Sequence, residues 1–191
     1  LVLQLLFPPL MIIFWGIDNF GIWILILTIP STLNLFNINF SAAATQEMTI
    51  FYQKGKLQKV NEIFQNNLLM LIFNILIYSM IFFLVYFFLG FEKFTALEKL
   101  SVKELNPIII FVFLSCYLDI LNSFLICGIS YLGKLYVSTN INALFEFISK
   151  LSVVSAGIFY DSLIYASLFF FIVAILKFFT FFYYFNKYKQ H

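Results

Sequence analysis

Long apolar runs, separated by short polar connections, restrict this chain to a membrane environment. A spanning helix needs about 20 mostly apolar residues, and six runs are candidates, the first of them short: 1–15, 20–45, 63–90, 107–129, 136–158 and 162–185. Open strands cannot cross lipid, because unpaired backbone groups are too costly there. The runs are also longer than the roughly 10-residue segments of a membrane β-barrel. The sequence predicts an all-α polytopic membrane bundle of about six transmembrane helices, with residues 1–191 forming a single lobe.

Composition excludes the alternative of a soluble domain. The chain is 63% hydrophobic and 10% charged, whereas soluble domains carry about 25% charged residues. A soluble domain of this length would leave about 30% of its surface in water, and this sequence has too little polar surface to cover it. The chain begins at Leu1, and its first run lacks the charged flank and cleavage site of a signal peptide. We interpret that run as a truncated span and the chain as a fragment.

The lysines predict the orientation of the bundle and the partners that it lacks. All eleven basic residues are Lys, whereas phosphate forks and DNA grooves favour Arg, so no nucleic-acid partner is expected. Basic residues concentrate in cytoplasmic connections, which predicts that both ends of the chain are cytoplasmic and that the connection 91–106 is external. Six lysines fall on one side of the predicted spans and three on the other: Lys54, Lys56, Lys59, Lys134, Lys187 and Lys189, against Lys93, Lys99 and Lys103.

The residues that usually perform catalysis or bind metals are sparse. Cys116 and Cys127 are eleven positions apart in one predicted helix, about 16 Å along its axis, which excludes a disulfide between them. The only histidine is the terminal His191, so there is no cluster of metal ligands. Neither a phosphate-binding glycine loop nor a nucleophile motif is present. We therefore predict a protein that is not an enzyme and uses no cofactor or metal.

A stripe of polar residues follows one face of the second predicted span. Asn34, Asn37, Ser41 and Thr45 recur at spacings of 3, 4 and 4, which places them on the same side of a helix. Such a stripe could line a path for a hydrophilic substrate. It could equally supply hydrogen bonds between helices, which are worth about 0.6–2 kcal/mol each.

The fourth predicted span carries a carboxylate close to the middle of the membrane. Asp119 lies between Ser115 and Asn122 on one helical face. Ionisable residues at this depth usually face a bundle interior or a water-filled cavity, and burial disfavours the charged form. Two hypotheses follow: a site for a coupling proton or cation, or a structural partner for a Lys on another helix.

The fifth and sixth predicted spans add further charges at membrane depth. Glu146 and Lys150 stand at i, i+4 with Glu first, the favourable order for an ion pair, and Asn142 lies one turn earlier. Alternatively, Lys150 faces the cavity and binds an anionic group of a substrate. Lys177 lies among Phe and Ile residues, where it either extends its ammonium to the membrane interface or binds a phosphate.

Several local patterns resemble the amino-terminal lobe of Wzx-type polysaccharide flippases, in the multidrug/oligosaccharidyl-lipid/polysaccharide exporter superfamily. Residues 16–23, Gly-Ile-Asp-Asn-Phe-Gly-Ile-Trp, are similar to the family's connection between its first two spans. Residues 35–43 then form a polar and small-residue stretch, although Asn37 and Asn39 stand where family members often have Asp and Gly. The turn at 54–56, the following residues 60–62 and the end of the fourth span, residues 126–134, are also similar in place and pattern.

This resemblance implies a function and a set of partners. The family folds as two six-helix lobes around a cavity, so this chain would supply one lobe and need either a carboxy-terminal lobe or a second copy. The implied function is the flipping of polyprenyl-pyrophosphate-linked glycans, such as O-antigen or other lipopolysaccharide and cell-envelope precursors, across the bacterial inner membrane. A cation-coupled multidrug exporter of the same superfamily is the nearest alternative, because Asp119 and Glu146 are acidic. A non-transporting membrane protein of glycan assembly is a third.

Overall fold

The structure is a computed structural model that describes residues 2–84 and 101–189, without the side chains of residues 2–6, 29–39, 102 and 189. Within this part of the chain 96% of residues are helical and none is in a strand. This confirms the predicted all-α class. The described residues form five helices: α1 (Val2–Gln53), α2 (Leu57–Leu84), α3 (Val102–Ile129), α4 (Leu135–Tyr160) and α5 (Leu163–Lys189).

Helix α1 is bent back on itself at Gly16. This residue has φ 75° and ψ 165°, outside the helical region, a conformation that glycine adopts without steric cost. In a straight helix, residues 7 and 20 would be about 20 Å apart, yet the rings of Phe7 and Phe20 are 6.4 Å apart. The rings of Trp15 and Trp23 also meet, at 5.9 Å. The two arms of α1 therefore pack against each other.

The start of α3 differs from the sequence prediction. The fourth predicted span begins at 107, but the helix begins five residues earlier, at Val102. The Glu104 carboxylate accepts hydrogen bonds from the backbone N–H and the hydroxyl of Ser101, at 3.2 and 2.8 Å. This Ser-x-x-Glu arrangement stabilises a helix start, and Pro107 consequently lies inside the helix rather than at its beginning.

Helices α3 and α4 form a hairpin without a polar loop. They are joined by a π-helical turn, Ser130–Lys134, in which Gly133 has φ 78°. The hydroxyl oxygens of Ser130 and Ser138 are 3.1 Å apart, whereas a straight helix would separate these positions by about 12 Å. The chain therefore reverses within one continuous apolar stretch. The next reversal, between α4 and α5, occurs at Asp161, which has φ 43°.

Successive helical segments run in opposite directions. On α2 and α3, Phe64 contacts Phe124 and Phe82 contacts Phe113, so these helices are antiparallel. On α3 and α5, position 111 pairs with 171 and position 119 with 177, so these two are parallel. The second arm of α1 runs in the same direction, because Trp23 contacts Phe170 of α5 and Met48 shares a buried cluster with Cys127 of α3.

The bundle consequently has two unlike ends. At the end that we call the lysine end, Tyr52 meets Tyr131, and Lys134 lies over the Tyr188 ring. Its basic residues are Lys54, Lys56, Lys59, Lys134 and Lys187. At the opposite end, which we call the aromatic end, the arms of α1 pack on α4 and α5. Its main aromatic residues are Phe7, Trp15, Phe20, Trp23 and Phe170.

The predicted count of six spans is not confirmed. Four segments of the described chain are long and apolar enough to cross a membrane: Phe7–Thr28, Leu57–Leu84, Lys103–Tyr160 and Leu163–Tyr188. The first includes the reversal at Gly16, and the third, of 58 residues, includes both α3 and α4. The predicted boundaries also shift, since α2 begins at 57 rather than 63 and α1 continues to 53 rather than 45. Part of the third predicted span, 85–90, lies outside the described residues.

Candidate functional site

An ion pair between α3 and α5 lies at the centre of the candidate site. The Lys177 ammonium donates a hydrogen bond to Asp119 Oδ1 at 2.9 Å. The Lys177 side chain is 15% exposed and that of Asp119 33% exposed, so the pair is shielded from the surroundings without being sealed from them. Lys177 thus reaches another helix, rather than the membrane interface. Of the two hypotheses for Asp119, this geometry agrees with the one in which Asp119 is a structural partner of a Lys.

A cavity of about 560 Å³ extends from this ion pair toward the lysine end. Its volume lies within the range of small-molecule sites, about 300–1,000 Å³. The wall is mainly apolar in area, but it carries a group of polar side chains. Hydroxyl, amide and charged side chains from α1, α3, α4 and α5 contribute to it: Ser41, Thr45, Gln46, Asp119, Asn122, Ser123, Ser130, Asn142, Glu146 and Lys177.

A second cavity, of about 260 Å³, extends from the ion pair toward the aromatic end. Its outer wall is apolar and largely buried, with Trp23 1% exposed and Val153 2% exposed. Phe7, Phe145 and Phe170 add further aromatic surface. The charged part of its wall consists of Asp119, Glu146, Lys150 and Lys177, next to Ser149.

The two cavities follow one another along the bundle axis. Asp119, Glu146 and Lys177 line both of them, so the charges stand where the cavities meet. On α3 the lining extends from Asp119 to Ser130, and on α5 it extends from Lys177 back to Phe170. At a rise of 1.5 Å per residue these stretches add up to about 25 Å. This length approaches the thickness of the hydrocarbon core, about 30 Å.

The polar residues of α4 do not form the pair that their spacing favours. Among the described residues, the partner of Glu146 is Asn142, whose Nδ2 donates to Glu146 Oε1 at 3.2 Å. No ion pair joins Glu146 to Lys150 in this part of the chain, although both line the aromatic-end cavity. Lys150 is half-buried there. The alternative hypothesis, in which Lys150 faces the cavity, agrees with this placement.

On α1, the polar stripe reaches the cavity through its second half. Ser41 and Thr45 both line the lysine-end cavity. The Thr45 hydroxyl donates to the Ser41 carbonyl at 2.7 Å, so this hydroxyl is hydrogen-bonded within its own helix. The Ser41 hydroxyl is buried and has no hydrogen-bond partner. The side chains of Asn34 and Asn37 lie outside the described residues.

All the predicted site residues whose side chains are described therefore line one or both cavities. The sequence prediction missed the aromatic wall, which Trp23 and Phe170 dominate. It also missed Ser130, although a signal for this residue was present. Position 130 follows position 119 by eleven residues, which is about three helical turns. Ser130 therefore falls on the same helical face as Asp119 and Asn122.

Comparisons with known proteins add nothing to this geometry. No protein-family model matches the chain, and no curated protein or solved structure matches it. Within the described residues, no group of three or more His, Cys, Asp or Glu side chains could hold a metal ion. A functional interpretation therefore depends on the cavities and their charges.

Proposed function

We propose that this chain is one lobe of a membrane transporter that flips lipid-linked oligosaccharide or polysaccharide precursors across the bacterial cytoplasmic membrane. The supporting observation is a path about 25 Å long that carries charged side chains at its junction and polar side chains toward the lysine end, inside a bundle whose outer surface is apolar. A hydrophilic glycan needs such a path to cross hydrocarbon, whereas a polyprenyl tail can remain in lipid. Transporter sites commonly lie between helices near the bilayer midplane, and the charges of this cavity lie between helices α3, α4 and α5.

The cations at the junction suit the pyrophosphate of such a substrate. Lysine binds phosphate as a point charge. Lys177 is engaged by Asp119, but Lys150 has no ion-pair partner among the described residues and lines the cavity. We therefore assign the main contact with the pyrophosphate to Lys150. Lys177 contributes when the ion pair opens.

Polar side chains beside the cavity support a second lobe that packs against this one. Gln46 and Glu146 are exposed, and Asn142 is half-buried, on the side of the bundle where the lysine-end cavity lies. Charged and amide side chains that face lipid at this depth are costly. A carboxy-terminal lobe or a second copy of the chain would cover them and complete a two-lobe cavity of the Wzx type. In this arrangement six segments cross the membrane, and the lysine end and both chain ends are cytoplasmic.

One observation favours a second candidate, a cation-coupled multidrug exporter. The Glu146 carboxylate is exposed within the cavity, and the neighbouring wall is aromatic. Aromatic faces attract organic cations. A cationic drug would therefore find both a counter-charge and a stacking surface at the aromatic end.

Removal of the Lys150 charge tests the proposal against this alternative. In the flippase, Lys150→Ala should lower glycan export about tenfold, because one charge-assisted contact is worth about 1.5–3 kcal/mol. Export is measured as surface polysaccharide at equal protein level, with Lys103→Ala as control, because Lys103 is exposed at the start of α3 and lines neither cavity.

The matched change Glu146→Gln separates the two candidates. In the flippase it leaves Lys150 to bind the pyrophosphate, so glycan export should not depend on this carboxylate. Unchanged glycan export in Lys150→Ala, together with loss of drug resistance in Glu146→Gln, would favour the multidrug exporter.

A further inference from the structure

Two buried polar side chains in the wall of the lysine-end cavity have no hydrogen-bond partner. Asn122 is 1% exposed, and neither its Oδ1 nor its Nδ2 is hydrogen-bonded. Ser41 is 7% exposed, and its hydroxyl is likewise unpaired. Both residues line the cavity of about 560 Å³. Leaving a buried amide or hydroxyl unpaired is destabilising, and nearly all buried polar groups in proteins avoid it.

The two side chains lie at a similar depth on neighbouring helices. The second arm of α1 and helix α3 run in the same direction, and Met48 and Cys127 belong to the same buried cluster. Ser41 precedes Met48 by about 10 Å along α1, and Asn122 precedes Cys127 by about 8 Å along α3. The two unpaired groups therefore lie at a similar height in the wall of the same cavity.

These groups form a neutral site, distinct from the charges at the junction. The Asn122 amide offers a donor and an acceptor side by side, and the Ser41 hydroxyl can donate or accept. Neither side chain carries a charge that would favour a phosphate or an ammonium group. The complementary partner is an uncharged group that also offers neighbouring donors and acceptors. Adjacent hydroxyl groups of a sugar ring meet this requirement, with one accepting from Nδ2 and the other donating to Oδ1.

We infer that Asn122 and Ser41 form a sugar-recognition subsite, in which the first sugar of the glycan binds beside the pyrophosphate. This inference rests on the proposed function. Asp119 is one turn from Asn122 on α3, so the subsite adjoins the charged junction, as a sugar directly linked to a pyrophosphate requires. The subsite recognises the sugar, whereas the lysines bind any polyprenyl pyrophosphate.

Calorimetry on the purified protein in detergent micelles tests the subsite with two probes. One probe is polyprenyl pyrophosphate, and the other is the same lipid carrying a single hexose. Asn122→Leu should weaken binding of the hexose-bearing lipid about tenfold, as expected for the loss of two hydrogen bonds, and should leave the glycan-free lipid within twofold. Ser41→Ala should act in the same direction, about threefold, for the loss of one hydrogen bond.

The chain provides matched controls for both changes. Asn67 on α2 is 7% exposed with an unpaired Nδ2, but it lines neither cavity, so Asn67→Leu should leave both affinities unchanged. Ser167 is fully buried and donates to the Ile164 carbonyl within its own helix, which makes Ser167→Ala the control for Ser41→Ala.

The remaining outcomes distinguish the subsite from the transporter proposal. Equal weakening of both lipids by Asn122→Leu, or no change in either, would overturn the subsite while Lys150-dependent binding of the glycan-free lipid still supported the transporter. Failure of the unmodified protein to bind either lipid would overturn the proposed function and the subsite with it.

Discussion

The aromatic end of the bundle is packed more closely than the lysine end. At the aromatic end, rings and small residues fit together closely: Trp15 is 5% exposed and lies directly against Gly157 of α4. At the lysine end, the cavity wall includes exposed side chains, such as Gln46 and Leu135. The same three charged residues lie between these regions. The comparison shows a path whose cavity is small on the aromatic side of the charges and larger on the lysine side.

The largest effect should follow from separating the ion pair between the two ends. Removal of one partner of a fully buried pair costs about 3–5 kcal/mol. Because Asp119 is a third exposed, we expect Asp119→Leu or Lys177→Met to cost about 2 kcal/mol. The melting temperature in detergent should fall by about 4–8 °C.

The double variant Asp119→Leu/Lys177→Met provides the control for this experiment. It removes both charges together and should recover most of the lost stability, because replacement of a whole pair by apolar residues is often neutral. A double variant as unstable as either single one would show that packing, rather than charge, accounts for the loss.

A smaller effect should distinguish the packing of the two ends. A Cβ atom at Gly157 would lie 2.5 Å from Trp15 Nε1, and one at Gly128 would lie 2.5 Å from the Phe185 ring. Trp15 is buried, so its displacement is costly, whereas Phe185 is half-buried near the lysine end. Overpacking costs about 1–3 kcal/mol, and the gain in helix propensity offsets about 1 kcal/mol.

We therefore expect Gly157→Ala to destabilise the protein by about 1 kcal/mol and Gly128→Ala to be nearly neutral. Tryptophan fluorescence should shift in Gly157→Ala, since Trp15 must be displaced, and thermal unfolding should rank the two variants. The reverse ranking would contradict the description of the aromatic end as the tighter one.

The smallest effect on stability should come from substitution of Lys150, which lies outside the ion pair between Asp119 and Lys177. Lys150 has no ion-pair partner among the described residues, so Lys150→Met should change the free energy of unfolding by less than about 0.5 kcal/mol. The contrast with Lys177→Met can be measured in the same thermal unfolding series. A cost similar to that of Lys177→Met would indicate a structural role for Lys150 and remove the basis for its substrate contact.

The helical class and most polar cavity residues were predictable from the sequence, because both depend on local patterns. Apolar runs of spanning length leave only helices, and a spacing of three or four residues defines a face. Asp119 and Asn122 could be assigned to one face without knowledge of their neighbours. The partner of Asp119 could not be assigned, because Lys177 lies 58 positions away on another helix.

The parts that sequence reasoning missed depend on contacts between helices. Trp23 and Phe170 are two among many aromatic residues, and nothing local separates those that line a cavity from those that face lipid. The i, i+4 spacing of Glu146 and Lys150 favoured an ion pair, but in the described structure the Asn142 amide binds the carboxylate instead. The Ser-x-x-Glu signal at 101–104 was visible in the sequence and would have corrected the start of α3.

The turn at Gly133 has a consequence for biosynthesis. The 58 residues from Lys103 to Tyr160 offer no hydrophilic loop that could mark the boundary between two membrane insertions. The ribosome therefore delivers both helices in one mainly apolar segment, which reverses at the turn Ser130–Lys134, where Gly133 is left-handed. Helix α4 consequently takes its direction from this turn, and α5 takes its direction from the second reversal, at Asp161.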